Sequence, residues 1–104
     1  MNKKFFISIP ITGQEETAKV LCKEYKKQLS EKYPSIDFIT PFEINLEKNK
    51  PDSYYMGREI EKLMECDGIV SVEGWQKSKG CQVERFTANI YGLRIYDIKD
   101  LLKK

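Results

Sequence analysis

Short apolar runs alternate with amphipathic segments along the chain, and this constrains its fold more than any other feature. Residues 5–9 read Phe-Phe-Ile-Ser-Ile and stop at Pro10. A continuous apolar run of this length is the signature of a strand covered on both faces. Residues 36–39, 68–72 and 93–96 read as three more. Between the first two, residues 14–33 carry Ala18, Leu21, Cys22, Tyr25 and Leu29 three or four positions apart, which is one face of a helix ended by Tyr33-Pro34. Residues 53–65 repeat the pattern with Tyr55, Met56, Ile60, Leu63 and Met64. A third helix is read over residues 81–91, with Gly92 as its C-terminal cap. Strands alternating with helices make βαβ units and a parallel sheet. With right-handed crossovers, the order 2-1-3-4 follows. The expectation is a single three-layer α/β domain of four parallel strands, flavodoxin- or Rossmann-like. The length of 104 residues suits one domain. Residues 42–52 are polar, contain Pro51 and show no period, so they read as a long loop of the kind that often carries function.

Charge narrows the classes of partner. Eighteen basic and sixteen acidic residues leave a net charge of +2. That balance gives no electrostatic ground for a nucleic-acid polymer or a membrane. Histidine is absent, which excludes Ser-His and Cys-His nucleophile pairs. Cys22, Cys66 and Cys81 are dispersed, with no C-x-x-C spacing, so neither a zinc site nor another metal or cofactor is expected. No apolar run approaches the roughly 18 residues of a membrane span, and the apolar start is too short for a signal peptide. A cytoplasmic chain with reduced thiols is the expectation.

In an open parallel sheet of this order, strands 1 and 3 are neighbours whose outgoing loops splay apart and leave a ligand crevice. Those loops are Pro10–Gly13 and residues 73–80. Gly80 lets the backbone turn sharply into the third helix, whose first amides attract anions. Ser78 adds a hydroxyl, although a serine and glycine before a helix are most often only a cap. The lysine and serine are not in Walker order. Glu84, placed in the first turn of the third helix, is either a complement to the helix dipole or a carboxylate that the dipole keeps ionised for nucleophilic attack. Glu59 on the second helix faces either the crevice or solvent. Asp67, at the far end of strand 3, reads as structural. Trp75 stacks on a base or is buried. Of Tyr54 and Tyr55, one covers the pocket and the other packs in the core. Cys81 is a thiol activated by a helix start or a small packing residue.

The run Phe6-Ile7-Ser8-Ile9-Pro10-Ile11-Thr12-Gly13, then Cys66-Asp67-Gly68-Ile69-Val70, Gly74-Trp75, Ser78-x-Gly80, Glu84, Ala88 and Gly92-Leu93, resembles the nucleoside 2-deoxyribosyltransferase superfamily. Within it the chain is most similar to a small uncharacterised bacterial and phage branch. The resemblance implies that Glu84 attacks C1′ of a sugar and that Glu59, where relatives have aspartate, handles the base proton. It implies that Ser8, Pro10, Ile11, Thr12 and Gly13 hold sugar or base, with Gly74 and Trp75 beside them. Ser78, with the Gly80 and Cys81 amides, would hold a 5′-phosphate. The expected function is an N-glycosidase or deoxyribosyltransferase-like enzyme acting on a nucleoside 5′-monophosphate. Departures from the family pattern favour the alternative, a non-catalytic nucleotide sensor. Phe6 replaces a tyrosine, Glu59 is longer by a methylene, Ile9 replaces a glycine, and Phe86 replaces a glycine and is expected to narrow the pocket. The C-terminal segment with which transferases complete a neighbour's site is not expected. A protein that binds other proteins and no small ligand is the third reading. Resemblance and small size together imply a homodimer or higher homo-oligomer, with the second helix as its interface.

Overall fold

Phe6, Ile7, Ile69 and Val70 are wholly shielded from solvent because they form the middle of a sheet covered on both faces. The computed structural model describes residues 3–103. Its strands are β1 (Lys3–Ser8), β2 (Ile36–Ile39), β3 (Gly68–Ser71) and β4 (Arg94–Asp97). All pairings are parallel, in the order β2-β1-β3-β4, as the apolar runs and crossover rule require. The helices are α1 (Glu15–Lys32), α2 (Pro41–Ile44), α3 (Asp52–Met64), α4 (Lys79–Ile90) and α5 (Ile98–Leu101), with a single 3-10 turn at Trp75–Lys77.

Side-chain alternation along β1 and β3 divides the core in two. Phe5, Ile7 and Val70 pack with Ala18, Cys22, Leu29 and Ile98 on the α1 and α5 face. Phe6 and Ile69 pack with Leu63 and Ala88 on the α3 and α4 face. Ser8 follows Phe6 by two positions and so points to the α3 and α4 side. The register sets Ser8 beside Ser71 and Ser71 beside Asp97, a polar row at the carboxyl edge. The amino edge is closed by Asp67, as expected of a structural residue. Its carboxylate accepts from the Lys4 N–H at 2.8 Å, and its own N–H donates to the Lys4 carbonyl at 2.7 Å.

Two elements differ from the sequence expectation. Residues 42–52 are not wholly loop. Thr40 Oγ1 accepts from the Glu43 N–H at 3.2 Å and Pro41 fills the first helical position, so the short α2 forms. α4 starts at Lys79 rather than at 81, because Ser78 is its N-cap: Ser78 Oγ accepts from the Cys81 N–H at 3.3 Å. The two-residue shift changes the surroundings of Glu84.

Candidate functional site

Glu84 is 3% exposed, at the sixth position of α4, and points back at the sheet. Ser8 Oγ donates to its Oε1 at 2.5 Å. Its carboxyl also lies close enough to that of Glu59, on α3, for the two to act on each other electrostatically. Glu59 is half-buried rather than turned to solvent, and its Oε2 accepts from Asn45 Nδ2 at 2.8 Å. A chain of four side chains thus runs Ser8–Glu84–Glu59–Asn45, drawing on β1, α4, α3 and the residue after α2. Cys81, one turn before Glu84, is 2% exposed, with its thiol beside the Ser8 and Ser78 hydroxyls. Asn45 Oδ1, at the end of the chain, is buried without a hydrogen-bond partner.

Electrostatics reverse one expectation. Glu84 is not held ionised. Burial, then the hydrogen bond and negative charge of Glu59, push its carboxyl well above the ordinary carboxylate range, and the Ser8 hydroxyl only partly offsets this. The helix dipole acts mainly within the first turn. Glu84 lies in the second, so the favourable field expected there is weak. Two carboxyls in contact share a proton because both cannot ionise side by side in a poorly solvated place. Burial likewise raises the Cys81 thiol, against the opposing hydroxyl contacts of Ser78 and Ser8, which makes Cys81 a packing residue and not an activated nucleophile.

The expected crevice is narrower than the topology suggests. Gly74 has φ +92, a conformation open to glycine, and a Cβ there would lie 3.5 Å from Pro10 Cγ. The loops after β1 and β3 therefore meet at Pro10 and Gly74 instead of splaying apart. Thr12 and Gly13 are exposed, while Pro10 and Ile11 tie the loop to α1: Gln14 Nε2 donates to the Pro10 carbonyl and the Gln14 N–H to that of Ile11, both at 2.9 Å. At Gly80 a Cβ would sit 3.8 Å from Met56 Sδ, so α3 closes over the start of α4. Of the two amides assigned to an anion, that of Cys81 is already taken by Ser78 Oγ.

Seven of the predicted residues fall into two groups. Ser8, Ser78, Cys81, Glu84 and Glu59 gather around the buried carboxyls. Gly74 and Trp75 instead line a cavity of about 330 Å³ with Ser71, Glu73 and Asp97, at the ends of β3 and β4. There Arg85 stacks on Trp75, its guanidinium carbon 4.0 Å from the ring centroid, and reaches Ser71 Oγ at 2.8 Å and Asp97 Oδ1 at 3.1 Å. A second cavity of about 510 Å³ lies between α2 and α3, lined by Ile44, Arg58 and Lys62 among others. Neither is lined by Glu84 or Glu59. Phe86 does not narrow a pocket: it is 65% exposed on the far side of α4. Neither tyrosine of the pair at the start of α3 reaches the carboxyls. Tyr55 Oη pins the preceding loop, accepting from the Lys50 N–H at 3.1 Å and donating to the Glu47 carbonyl at 3.0 Å, and Tyr54 packs edge-on against it. Asn45 and Arg85 were not singled out by sequence. The only signal for Asn45 was the unusual length of its loop. Among the described residues, no three His, Cys, Asp or Glu side chains converge as metal ligands.

A profile of a family described as a domain of unknown function (DUF4406) matches residues 3–97, and the chain belongs to that family. A conserved protein from Enterococcus faecalis V583, known from its crystal structure, has the same fold. It superposes with a TM-score of 0.74 at 20% identity over 93% of this chain, which spans 63% of the other's length. No curated protein matches.

Proposed function

We propose that the chain acts on a nucleoside 5′-monophosphate as an N-glycosidase or glycosyl-transferring enzyme, with Glu84 as nucleophile. One observation carries this reading: two neighbouring carboxyls from different helices, the buried one held by Ser8 and the other by Asn45, stand at the carboxyl edge of a parallel sheet. A poorly solvated carboxyl pair has little structural use and a clear chemical one. One proton on the pair serves both partners. Attack requires the proton of Glu84 to pass to Glu59 as substrate seats, which frees Glu84 as a carboxylate. The C1′–O bond to Glu84 forms as the C1′–N bond breaks, and the departing nitrogen takes its electron pair and the proton of Glu59. Water then attacks C1′, the ester bond breaks, and the proton that water loses returns to the pair. Asn45 holds Glu59 at the distance this exchange needs. Ser8 orients Glu84. The hydroxyl of Ser78, and the Gly80 amide beside it at the start of α4, suit a phosphate.

The experiment is incubation with a panel of deoxyribonucleoside and ribonucleoside 5′-monophosphates, with free base followed by chromatography. Glu84→Ala should abolish base release, about 10³-fold or more. Equal rates for wild type and variant would end the proposal.

A second reading, a nucleotide sensor without turnover, is favoured by Phe6. It sits fully buried on the strand that carries Ser8 and offers no hydroxyl to the nucleophile. A nucleotide that raises Tm and is recovered intact after long incubation supports this reading over the first.

A further inference from the structure

Glu84 and Arg85 are consecutive on α4, and between them they grip three neighbouring strands. The register sets Ser8 of β1 beside Ser71 of β3, and Ser71 beside Asp97 of β4. Residues matched in register share a face of the sheet, so the three polar side chains form one row towards α4. Ser8 Oγ donates to Glu84 Oε1 at 2.5 Å. Arg85 Nη1 donates to Ser71 Oγ at 2.8 Å and to Asp97 Oδ1 at 3.1 Å, and the guanidinium carbon stands 4.0 Å from the Trp75 ring centroid. A planar group held by stacking and by two bonds has one position, which a flexible ammonium does not. Consecutive side chains on a helix project about 100° apart. Fixing Arg85 over β3 and β4 therefore fixes the turn of α4 about its axis, and with it the direction in which Glu84 leaves the helix.

We propose that Arg85 is a positioning residue: its clamp on Ser71, Asp97 and Trp75 sets the rotation of α4 that holds the Glu84 carboxyl against Ser8 and beside Glu59. Its bearing on turnover rests on the proposed role of Glu84; its structural content does not. Arg85 acts by placement rather than by charge. Burial, Glu59 and Ser8 govern the Glu84 proton, and the other titratable group facing Glu84 among the described residues is the Cys81 thiol on its own helix. β1 and β3 bring hydroxyls, Asp97 of β4 is taken by Arg85, and Glu73 and Lys77 in the preceding loop are exposed. With the clamp released, α4 rolls, Glu84 moves off Ser8 and Glu59 towards water, and its hold on the proton weakens.

Urea unfolding of R85K is compared with that of R85K/E84Q from about pH 4 to about pH 8. Lysine keeps the charge and loses both the fork and the stack. The stability gap that E84Q opens at the upper end should shrink to about half or less of its size in the wild-type background. A clamp that only adds stability lowers both curves alike and leaves the gap intact, which overturns the proposal. D97A releases one end of the clamp at a half-buried position whose side chain caps no helix. It should narrow the gap in the same direction, and a full gap in that variant also overturns the proposal. With a deoxyribonucleoside 5′-monophosphate that the wild type cleaves, R85K should lower kcat about tenfold or more at unchanged KM, since a misplacement of about 1 Å has effects of that order. A raised KM with kcat unchanged would make Arg85 a substrate contact and overturn the inference. If the wild type releases no base, the proposed reaction falls, while the pH-dependent gap still decides the role of Arg85.

Discussion

At the scale of single residues, the proton on Glu84 governs what can be measured. Its folded-state affinity for that proton is raised above the ordinary value of 4.5. The unfolded chain gives the proton up near that ordinary value, and the folded chain holds it to higher pH. The stabilisation is therefore complete below the ordinary value and lost as pH rises towards the folded one. Glu84→Gln keeps the shape and a group able to bond Ser8 but has no proton to lose. Urea unfolding should give curves for wild type and variant that coincide near pH 4 and separate above pH 5. The difference should approach a limiting slope of about 1.4 kcal/mol per pH unit, with the variant the more stable. Parallel curves would show that Glu84 is ionised in the fold. The thiols give a second test. Burial pushes Cys22 up to about 12 and Cys66 to about 11, and raises Cys81. None should react with a disulfide reagent at pH 8 faster than the protein unfolds. Immediate labelling of one thiol would show that its cover is absent in solution.

At the scale of elements, starts and close approaches decide the geometry. Ser78→Ala removes the cap of α4 and should lower stability by about 1 kcal/mol, with a shift in the urea midpoint to show it. A change below a few tenths would mean that the cap hydroxyl is idle. Gly68→Ala is more severe. A Cβ there would stand 2.9 Å from the Arg94 carbonyl oxygen, so β3 and β4 must part or shift. A loss of about 2 kcal/mol or more is expected. An unchanged Tm would mean that the β3–β4 pairing is looser than described. The elements themselves were largely legible in the sequence, because apolar runs and helical spacing report burial directly. The starts of α2 and α4 were less so. Thr40-Pro41 and Ser78 are capping signals written in two or three residues, and a long polar stretch or a glycine nearby outweighs them in a reading by period. That shift moved Glu84 out of the first turn and removed the expected reason for its ionisation.

At the scale of the whole molecule, the strand order was legible, because crossover handedness leaves few choices, and it brought Ser8 and Glu84 to one edge. The partnership of Glu59 with Asn45 was not, since it depends on how far α3 leans over α4, which no local pattern states. The narrowing of the expected crevice at Pro10 and Gly74 is a contact between loops more than sixty positions apart and is equally silent in the sequence. On the second long helix Leu63 is fully buried and Ile60 packs on the core, while Met64 is 46% exposed. The bond from Ser8 to Glu84 spans 76 positions. One end lies on an inner strand and the other on the last long helix, so in a nascent chain the pair cannot assemble until nearly all of it has been made and has collapsed. Any nucleotide that this edge admits would select the finished molecule alone, and would guard it against proteolysis as a single body rather than by parts.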